Sequence, residues 1–405
     1  MEKSLHDPDG HRSTLDPCPE KNVNKLTAAV LAALMALMAL PSTAQADEAR
    51  AGGLEWSGSG FVSVVAGKVL KGTHDEATDI GYRCPCFVSD YAQNGVYERG
   101  GLQFGPDSRL GLQGTAALEG GRYALTGQVV SRGSRNGRVK LEWLYATAEL
   151  TGNWTLQVGR KRLPLFMSSE VQDVGYALPW NHLPPQMYGW DIVNYNGASL
   201  VYRNTLGDWL ATAQVLAGSE TTRDAGYWRI YNGKQTETDS RWSHIGGGEL
   251  KLSRGVFDVR AVMIQSYTQN RRTSDGETGF SPRAWQRIYG LSFNLDDPHW
   301  VARTEFLYIN RRAEYGSDHS QLYAGGRRFG PLLLLASYAN YQQTVNADLV
   351  GAEGHSTRSA VLRYDLDHVS AVKLQYDLWR DKVAPGYQGF HGNVHLLSVA
   401  YDRVF

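Results

Sequence analysis

From Leu54 onward the chain runs in short stretches in which apolar and polar residues alternate. In one stretch Trp209, Ala211, Ala213, Val215 and Ala217 share a face, and Thr212 and Gln214 share the other. Tyr289, Leu291, Phe293 and Leu295 likewise oppose Gly290, Ser292 and Asn294. Ala360, Leu362, Tyr364 and Leu366 oppose Ser359, Arg363 and Asp365, and Val372, Leu374, Tyr376 and Leu378 oppose Lys373, Gln375 and Asp377. A period of two is the mark of a strand with one apolar and one polar face. The pattern predicts sixteen strands: 54–66, 108–120, 123–133, 140–152, 154–166, 196–207, 209–220, 244–255, 257–270, 285–296, 299–313, 320–330, 332–344, 356–367, 370–382 and 393–405.

The connections separate a sandwich from a barrel. Gly120-Gly121-Arg122, Gly152-Asn153, Gly207-Asp208, Gly255, Asp296-Asp297-Pro298, Gly330-Pro331 and Asp367-His368 are tight-turn sequences. Between them lie longer segments: 67–107, 134–139, 167–195, 221–243, 271–284, 314–319, 345–355 and 383–392. Short and long connections therefore alternate along the whole chain. A soluble sandwich has no reason for this, whereas an outer-membrane barrel keeps short turns on one side and long loops on the other. The expected fold is all-β: a transmembrane antiparallel up-and-down β-barrel with a lumen wide enough for water. Tyr231-Asn232-Gly233-Lys234 reads as a hairpin turn, and eighteen strands result if its arms enter the membrane.

Composition then acquires a meaning it lacks alone. The 405 residues carry 41 Lys+Arg and 41 Asp+Glu, which argues against a nucleic-acid partner. The hydrophobic fraction of 42% looks soluble, but a barrel needs apolar residues at only every second strand position. Lys21 and Lys25 precede an apolar run, Ala28 to Leu40, broken by Pro41 and followed by Ala44-Gln45-Ala46. Residues 1–46 read as a cleaved secretory signal with a long polar leader, the true start lying near Val23. The run is too short to span a bilayer as a helix. Residues 47–405 then form the barrel domain, with 37 bases against 36 acids.

Catalytic and metal chemistry find little support. There is no Gly-x-Ser-x-Gly or His-Glu-x-x-His, and His182 reads as an ordinary loop residue. Cys84-Pro85-Cys86 sits in the first long segment; one intervening residue is a poor disulfide spacing, yet export makes a loop disulfide chemically open to it. A metal site would need more ligands than His74 adds. No cofactor is implied, and the chain is not expected to be an enzyme.

The last strand places Leu397, Val399, Tyr401, Arg403 and Phe405 at alternate positions. This resembles the C-terminal signature read by the barrel-assembly machinery, with Arg403 as a departure. With the signal, the strand number and the connections, residues 54–405 resemble a Gram-negative general porin. The run Gly159-Arg160-Lys161-Arg162-Leu163-Pro164-Leu165-Phe166, followed by Asp173-Val174-Gly175-Tyr176, is similar to a porin-like proteobacterial subgroup. The resemblance implies an outer-membrane location among lipid and lipopolysaccharide, a homotrimer, and small hydrophilic solutes or ions as cargo. It also implies that the third long loop, about 167–195, folds into the lumen as a constriction. Pro179, Trp180, Pro184, Pro185, Tyr188 and Trp190 make that loop stiff.

A channel of this kind works through a field, in which loop acids face wall bases across a narrow aqueous path. The loop acids are Glu170, Asp173 and Asp191; the favoured wall bases are Arg109, Arg132, Lys161 and Arg203. Further wall bases are Arg260, Arg303 and Arg363, with wall acids Glu249, Asp258, Glu305, Asp365 and Asp377. Strict alternation from Leu156 and Val158 would point Arg160 and Arg162 at lipid, costing about 2–4 kcal/mol each at mid-bilayer. A bulge at Gly159 would bring both into the constriction and turn Lys161 out; the alternative is a place at the outer rim. Near-neutrality predicts weak overall selectivity with a local transverse field. Competing expectations are a binding or structural barrel without conductance, and a barrel enzyme.

Overall fold

A computed structural model describes residues 49–51, 53–74, 81–234, 236–274, 276–311, 315–344, 352–385, 387 and 389–405. The segment read as a signal, residues 1–46, lies outside them.

Sixteen strands form the wall: β1 (Leu54–Thr73), β2 (Arg109–Leu118), β3 (Tyr123–Arg132), β4 (Val139–Glu149), β5 (Trp154–Arg162), β6 (Asn194–Leu206), β7 (Trp209–Thr222), β8 (Glu237–Arg254), β9 (Phe257–Ser274), β10 (Ala284–Asp296), β11 (Trp300–Asn310), β12 (Ser317–Phe329), β13 (Leu332–Thr344), β14 (Gly354–Asp365), β15 (Ser370–Asp381) and β16 (Asn393–Val404). Each pairs antiparallel with its neighbours in sequence. β1 closes the sheet by pairing with β2 on one edge and β16 on the other, with Phe61 opposite both Gly111 and Val404. Closure leaves no open edge, the condition for a sheet to cross a bilayer. The terminal residue completes it: Gly60 N–H donates to the Phe405 carbonyl at 2.6 Å, and Phe405 N–H returns the bond at 2.9 Å.

The exposed face is the apolar one. Leu112, Leu125, Leu144, Tyr289, Leu291, Phe293, Leu334, Leu362, Leu374 and Val399 all stand outward and exposed, whereas Ser292, Ser359, Gln375 and Asp377 on the opposite face are buried. This inverts a soluble protein and suits a wall whose outside is lipid. The turns at Gly207 and Gly330 need the left-handed conformation, with φ of 60° and 59°, which explains glycine there. Wall height is uneven. β5 has 9 residues and β8 and β9 have 18 each, about 30 Å against 60 Å at 3.3–3.4 Å per residue.

Two expectations are corrected. Tyr231-Asn232-Gly233-Lys234 is not a hairpin: residues Gly226–Asn232 form a helix that Gly233 terminates at φ 86°. Asn-Gly serves a helix stop as well as a hairpin turn; here Tyr227 and Tyr231 pack on Tyr91, at ring distances of 5.5 and 5.7 Å, and hold the segment as a helix over the lumen. The wall therefore has sixteen strands and not eighteen. The added hairpin is elsewhere, where Glu277–Phe280 continues the pairing of β9 above the wall.

The second concerns Gly159. It has φ of 139°, but its register is unbroken: Gly159 pairs with Tyr145 and Gly197, and Arg160 with Leu144 and Asn196, both exposed. Lys161 therefore keeps the lumen side. The shift occurs in the neighbouring ladder, where Gln128 pairs with Trp143 and Val129 with Leu141, leaving Glu142 as an extra residue.

Candidate functional site: the loop across the lumen

The segment between β5 and β6 enters the barrel. Leu163 N–H bonds to the Val193 carbonyl at 2.9 Å and pinches its neck. Arg162 is the last residue of β5, so it is free of strict alternation and turns inward with only 2% of its side chain exposed. Below the neck lies a four-charge cluster. Arg132, ending β3, donates to Glu142 at 2.7 Å and to Asp173 of the loop at 2.7 Å. Arg162 donates to the other Asp173 oxygen at 2.5 Å and lies 3.5 Å from Glu142. Asn194 completes the shell, donating to Glu142 at 2.8 Å. All four charged side chains are nearly sealed from solvent. Burial alone would push the Asp173 carboxyl up, but the guanidinium groups of Arg132 and Arg162 overcome this and hold it below its ordinary range.

From Asp173 the loop crosses to the far wall. Lys373 donates to the carbonyls of Gly175 (2.7 Å) and Trp180 (2.9 Å), and Arg363 to those of Tyr176 (2.7 Å) and Leu178 (2.9 Å). Trp180 donates through Nε1 to Ser337 at 3.1 Å; Asn181 donates through its amide to Ser398 at 2.8 Å and through its backbone to Gln375 at 2.7 Å. His182 lies between Asp107 (3.1 Å) and Asp377 (3.2 Å). Burial opposes charge on that imidazole, yet the two carboxylates outweigh it and its pKa is pushed up to about 10. The loop returns through the short helix Pro185–Tyr188, whose Tyr188 hydroxyl donates to Glu305 at 2.5 Å.

The return limb explains a departure from the simple lumen picture. Leu178, Trp180, Leu183, Met187 and Trp190 pack on Ile264, Ile288, Leu307, Leu335 and Val361, which are inward-facing wall residues. One side of the inner wall is thus apolar and covered by the loop. The uncovered side belongs to β4–β9, where a cavity of about 580 Å³ opens toward the short-turn end at Gly152 and Asn153 and is roofed by Phe166, Met167 and Glu170.

The sequence-predicted residues fall in distinct places. Arg132, Arg162 and Asp173 meet in the cluster. Lys161, Arg203 and Glu170 line the cavity. Arg109 lies beside a small gap with Asp107 and His182, and its Nε and Nη2 have no hydrogen-bond partner among the described residues. Asp191 stands apart, bonded to Ser240. Arg160 is not in the constriction; it pairs with Glu220 at 2.7 Å and donates to the Leu141 carbonyl at 3.2 Å. Arg303, Arg260 and Arg363 hold loop atoms, Ser168 Oγ and the carbonyls of Pro164, Tyr176 and Leu178. Sequence reasoning missed Glu142, Lys373 and the bridging role of His182. Cys84 and Cys86 form a disulfide in the first loop, whose Phe87, Tyr91 and Tyr97 are buried over the lumen with Trp379 and Leu396. Among the described residues no group of three or more His, Cys, Asp or Glu could hold a metal ion.

No protein-family profile matches the chain, and no curated protein sequence matches it. Solved structures do. An anion-selective porin from Comamonas acidovorans aligns with a TM-score of 0.54 at 13% identity, over 87% of this chain and 100% of its own. The outer-membrane channel DcaP of Acinetobacter baumannii gives 0.52 at 12%, over 88% and 99%. A loop-deleted form of OmpT, an outer-membrane protein of Vibrio cholerae, gives 0.54 at 11%, over 87% and 100%. At these identities the likeness is one of fold: the chain has the closed sixteen-strand architecture of Gram-negative outer-membrane barrels.

Proposed function

We propose that the chain is a passive, water-filled diffusion channel of a Gram-negative outer membrane, admitting small hydrophilic solutes or ions. The observation that carries this reading is the loop strapped through the lumen. It covers the apolar side of the inner wall and leaves a polar, charged cavity against β4–β9. A binding scaffold has no use for such a device, whereas a channel needs a fixed constriction. In this reading residues 1–46 direct export, the short turns face the periplasm, the apolar belt meets lipid, and lipopolysaccharide surrounds the long-loop end. Leu397, Val399, Tyr401 and Phe405 serve recognition by the assembly machinery.

Selectivity is weak. The Arg132–Glu142–Arg162–Asp173 cluster is internally neutral, and the cavity's Lys161 and Arg203 are answered by Glu149 and Glu170. Two solved relatives in fold are described as an anion-selective porin and as an outer-membrane channel. A homotrimer is favoured by the low wall at β2–β5, whose outward Leu112, Leu125 and Leu144 stand beside small Ala116, Ala124 and Ala146.

Reconstitution into planar bilayers tests the reading. Stepwise ionic conductance is expected, with a reversal potential near zero across a salt gradient. A sealed barrel with no conductance refutes it. Light scattering of the detergent-solubilised protein tests the trimer.

A further inference from the structure

The cavity under the loop has a chemistry of its own at its upper end. Two of its basic residues are neutralised: Arg260 meets Glu249 at 2.6 Å and Lys251 meets Asp258 at 3.4 Å. Arg162 belongs to the buried cluster. Under the roof two opposite charges are left over. Lys161 bonds only to neutral groups, Gln157 and Ser199, and Glu170 hangs from the loop into the same space. Among the described residues neither has an oppositely charged partner within 4.0 Å. They feel each other's charge, yet they do not close on one another.

Around them the cavity is aromatic. Trp143 and Tyr145 stand on the wall with ring centres 6.4 Å apart, the Lys161 ammonium lies 5.3 Å from the Tyr145 ring, and Phe166 forms part of the roof. Arg203 and Glu149 repeat the unpaired combination near the mouth, some eight residues down the wall, or roughly 25 Å. The cavity's unpaired charges therefore cancel, which disfavours a simple anion or cation site. Its volume is within the range of small-molecule sites, and its polar lining carries a patch of aromatic rings.

We infer that the space between Lys161 and Glu170 is a binding subsite for a zwitterion with an apolar body, an α-amino acid bearing an aromatic side chain. Its carboxylate meets the Lys161 ammonium, its ammonium meets the Glu170 carboxylate, and its ring lies against Trp143, Tyr145 and Phe166. The inference rests on reading the lumen as a solute path, and it names what lingers there.

The test is calorimetric titration of the detergent-solubilised chain with three probes: L-phenylalanine, 3-phenylpropionate, which lacks the ammonium, and phenethylamine, which lacks the carboxylate. A charge-assisted hydrogen bond lost with each missing group predicts about tenfold weaker binding of either analogue. Glu170→Gln is expected to level phenylalanine with 3-phenylpropionate, and Lys161→Ala to level it with phenethylamine. Equal binding of 3-phenylpropionate and phenylalanine to the unaltered chain overturns the zwitterion in favour of an anion site. No heat from any probe leaves only a solvated wall and also overturns it. Conductance is measured separately. Conductance without binding sinks the subsite alone, and binding without conductance sinks the channel reading alone.

Discussion

Asp173→Asn cuts the one carboxylate that ties the loop to two arginines. Both bonds, 2.7 Å to Arg132 and 2.5 Å to Arg162, are sealed from water, with 6%, 2% and 7% of the Arg132, Arg162 and Asp173 side chains exposed. Asparagine offers one acceptor oxygen where the carboxylate offered two. Its amide N–H groups also face guanidinium donors, so at least one buried donor is orphaned. Removing one partner of a buried ion pair costs about 3–5 kcal/mol. Glu142 remains between two arginines, so the substitution leaves an uncompensated positive charge. The far-wall bonds from Lys373 and Arg363 are untouched, so the effect is local to about residues 167–174. At about 3 kcal/mol the docked population of that stretch falls roughly a hundredfold relative to the undocked one. Two readouts follow. Denaturant unfolding in detergent shifts by about 3 kcal/mol, and single-channel records gain open-state current noise. Arg132→Gln combined with Asp173→Asn costs less than the sum of the single changes, because the pair is removed together. A shift below about 0.5 kcal/mol with unchanged noise would refute the claim that this cluster fixes the loop.

Three further outcomes are expected. His182 has its pKa pushed up to about 10 by Asp377 and Asp107 against burial, above an unfolded value near 6.5. Its stabilisation is therefore present in full below about pH 6.5 and lost as pH rises through 10; stability measured across that window falls in the unaltered chain and is flatter in His182→Gln, and equal slopes would count against the bridge. Trp180→Ala removes a ring that is 1% exposed and bonded to Ser337, so it costs about 3–5 kcal/mol and loosens the loop's far end, seen as lower thermal stability and noisier current. Gly175→Ala drives a methyl group into the Asp402 carboxylate and Ser63 hydroxyl behind the loop; overpacking of about 1–3 kcal/mol is expected, read as a lower denaturation midpoint.

The wall was legible because a membrane barrel writes its outside in every second residue. The strand at 332–344 has the boundaries read from its alternation, and those at 209–222 and 284–296 differ by a residue or two. The inside was harder, because alternation says nothing about what covers the lumen face. Leu332-Leu333-Leu334-Leu335 carried the missing signal: four leucines in a row put two on each face, and the inward Leu333 and Leu335 are buried in the cluster the loop packs against. Ile288 beside Tyr289 is a second such break. Glu142 could not be placed, because a one-residue bulge reverses facing without changing composition. Arg160 and Arg162 show the same limit: a bulge at Gly159 and a strand end at Arg162 give the same residue type and spacing, and only the pairing partners distinguish them.

Equal numbers of acids and bases could describe a chain with nothing to attract. The lumen divides them differently. Acids at Asp173, Glu142, Asp377, Asp107 and Glu305 are spent on holding the loop, bonded to Arg132, Arg162, His182, Met167 and Tyr188. Bases at Arg363 and Lys373 hold its carbonyls. Charge used in this way is buried, insensitive to salt, and invisible to a solute. What a solute meets is the remainder, Arg109 at the small gap and Lys161, Arg203, Glu149 and Glu170 in the cavity, which are not in ion pairs among the described residues. It follows that substitutions in the two sets separate. Changes at the first set alter noise and stability, and changes at the second alter reversal potential and its salt dependence with stability nearly unchanged. Arg203→Gln is the cleanest case, since its exposed side chain holds nothing in place. It should shift the reversal potential toward cations at 0.1 M salt, less so at 1 M where the screening length falls to about 3 Å, and leave the denaturation midpoint where it was.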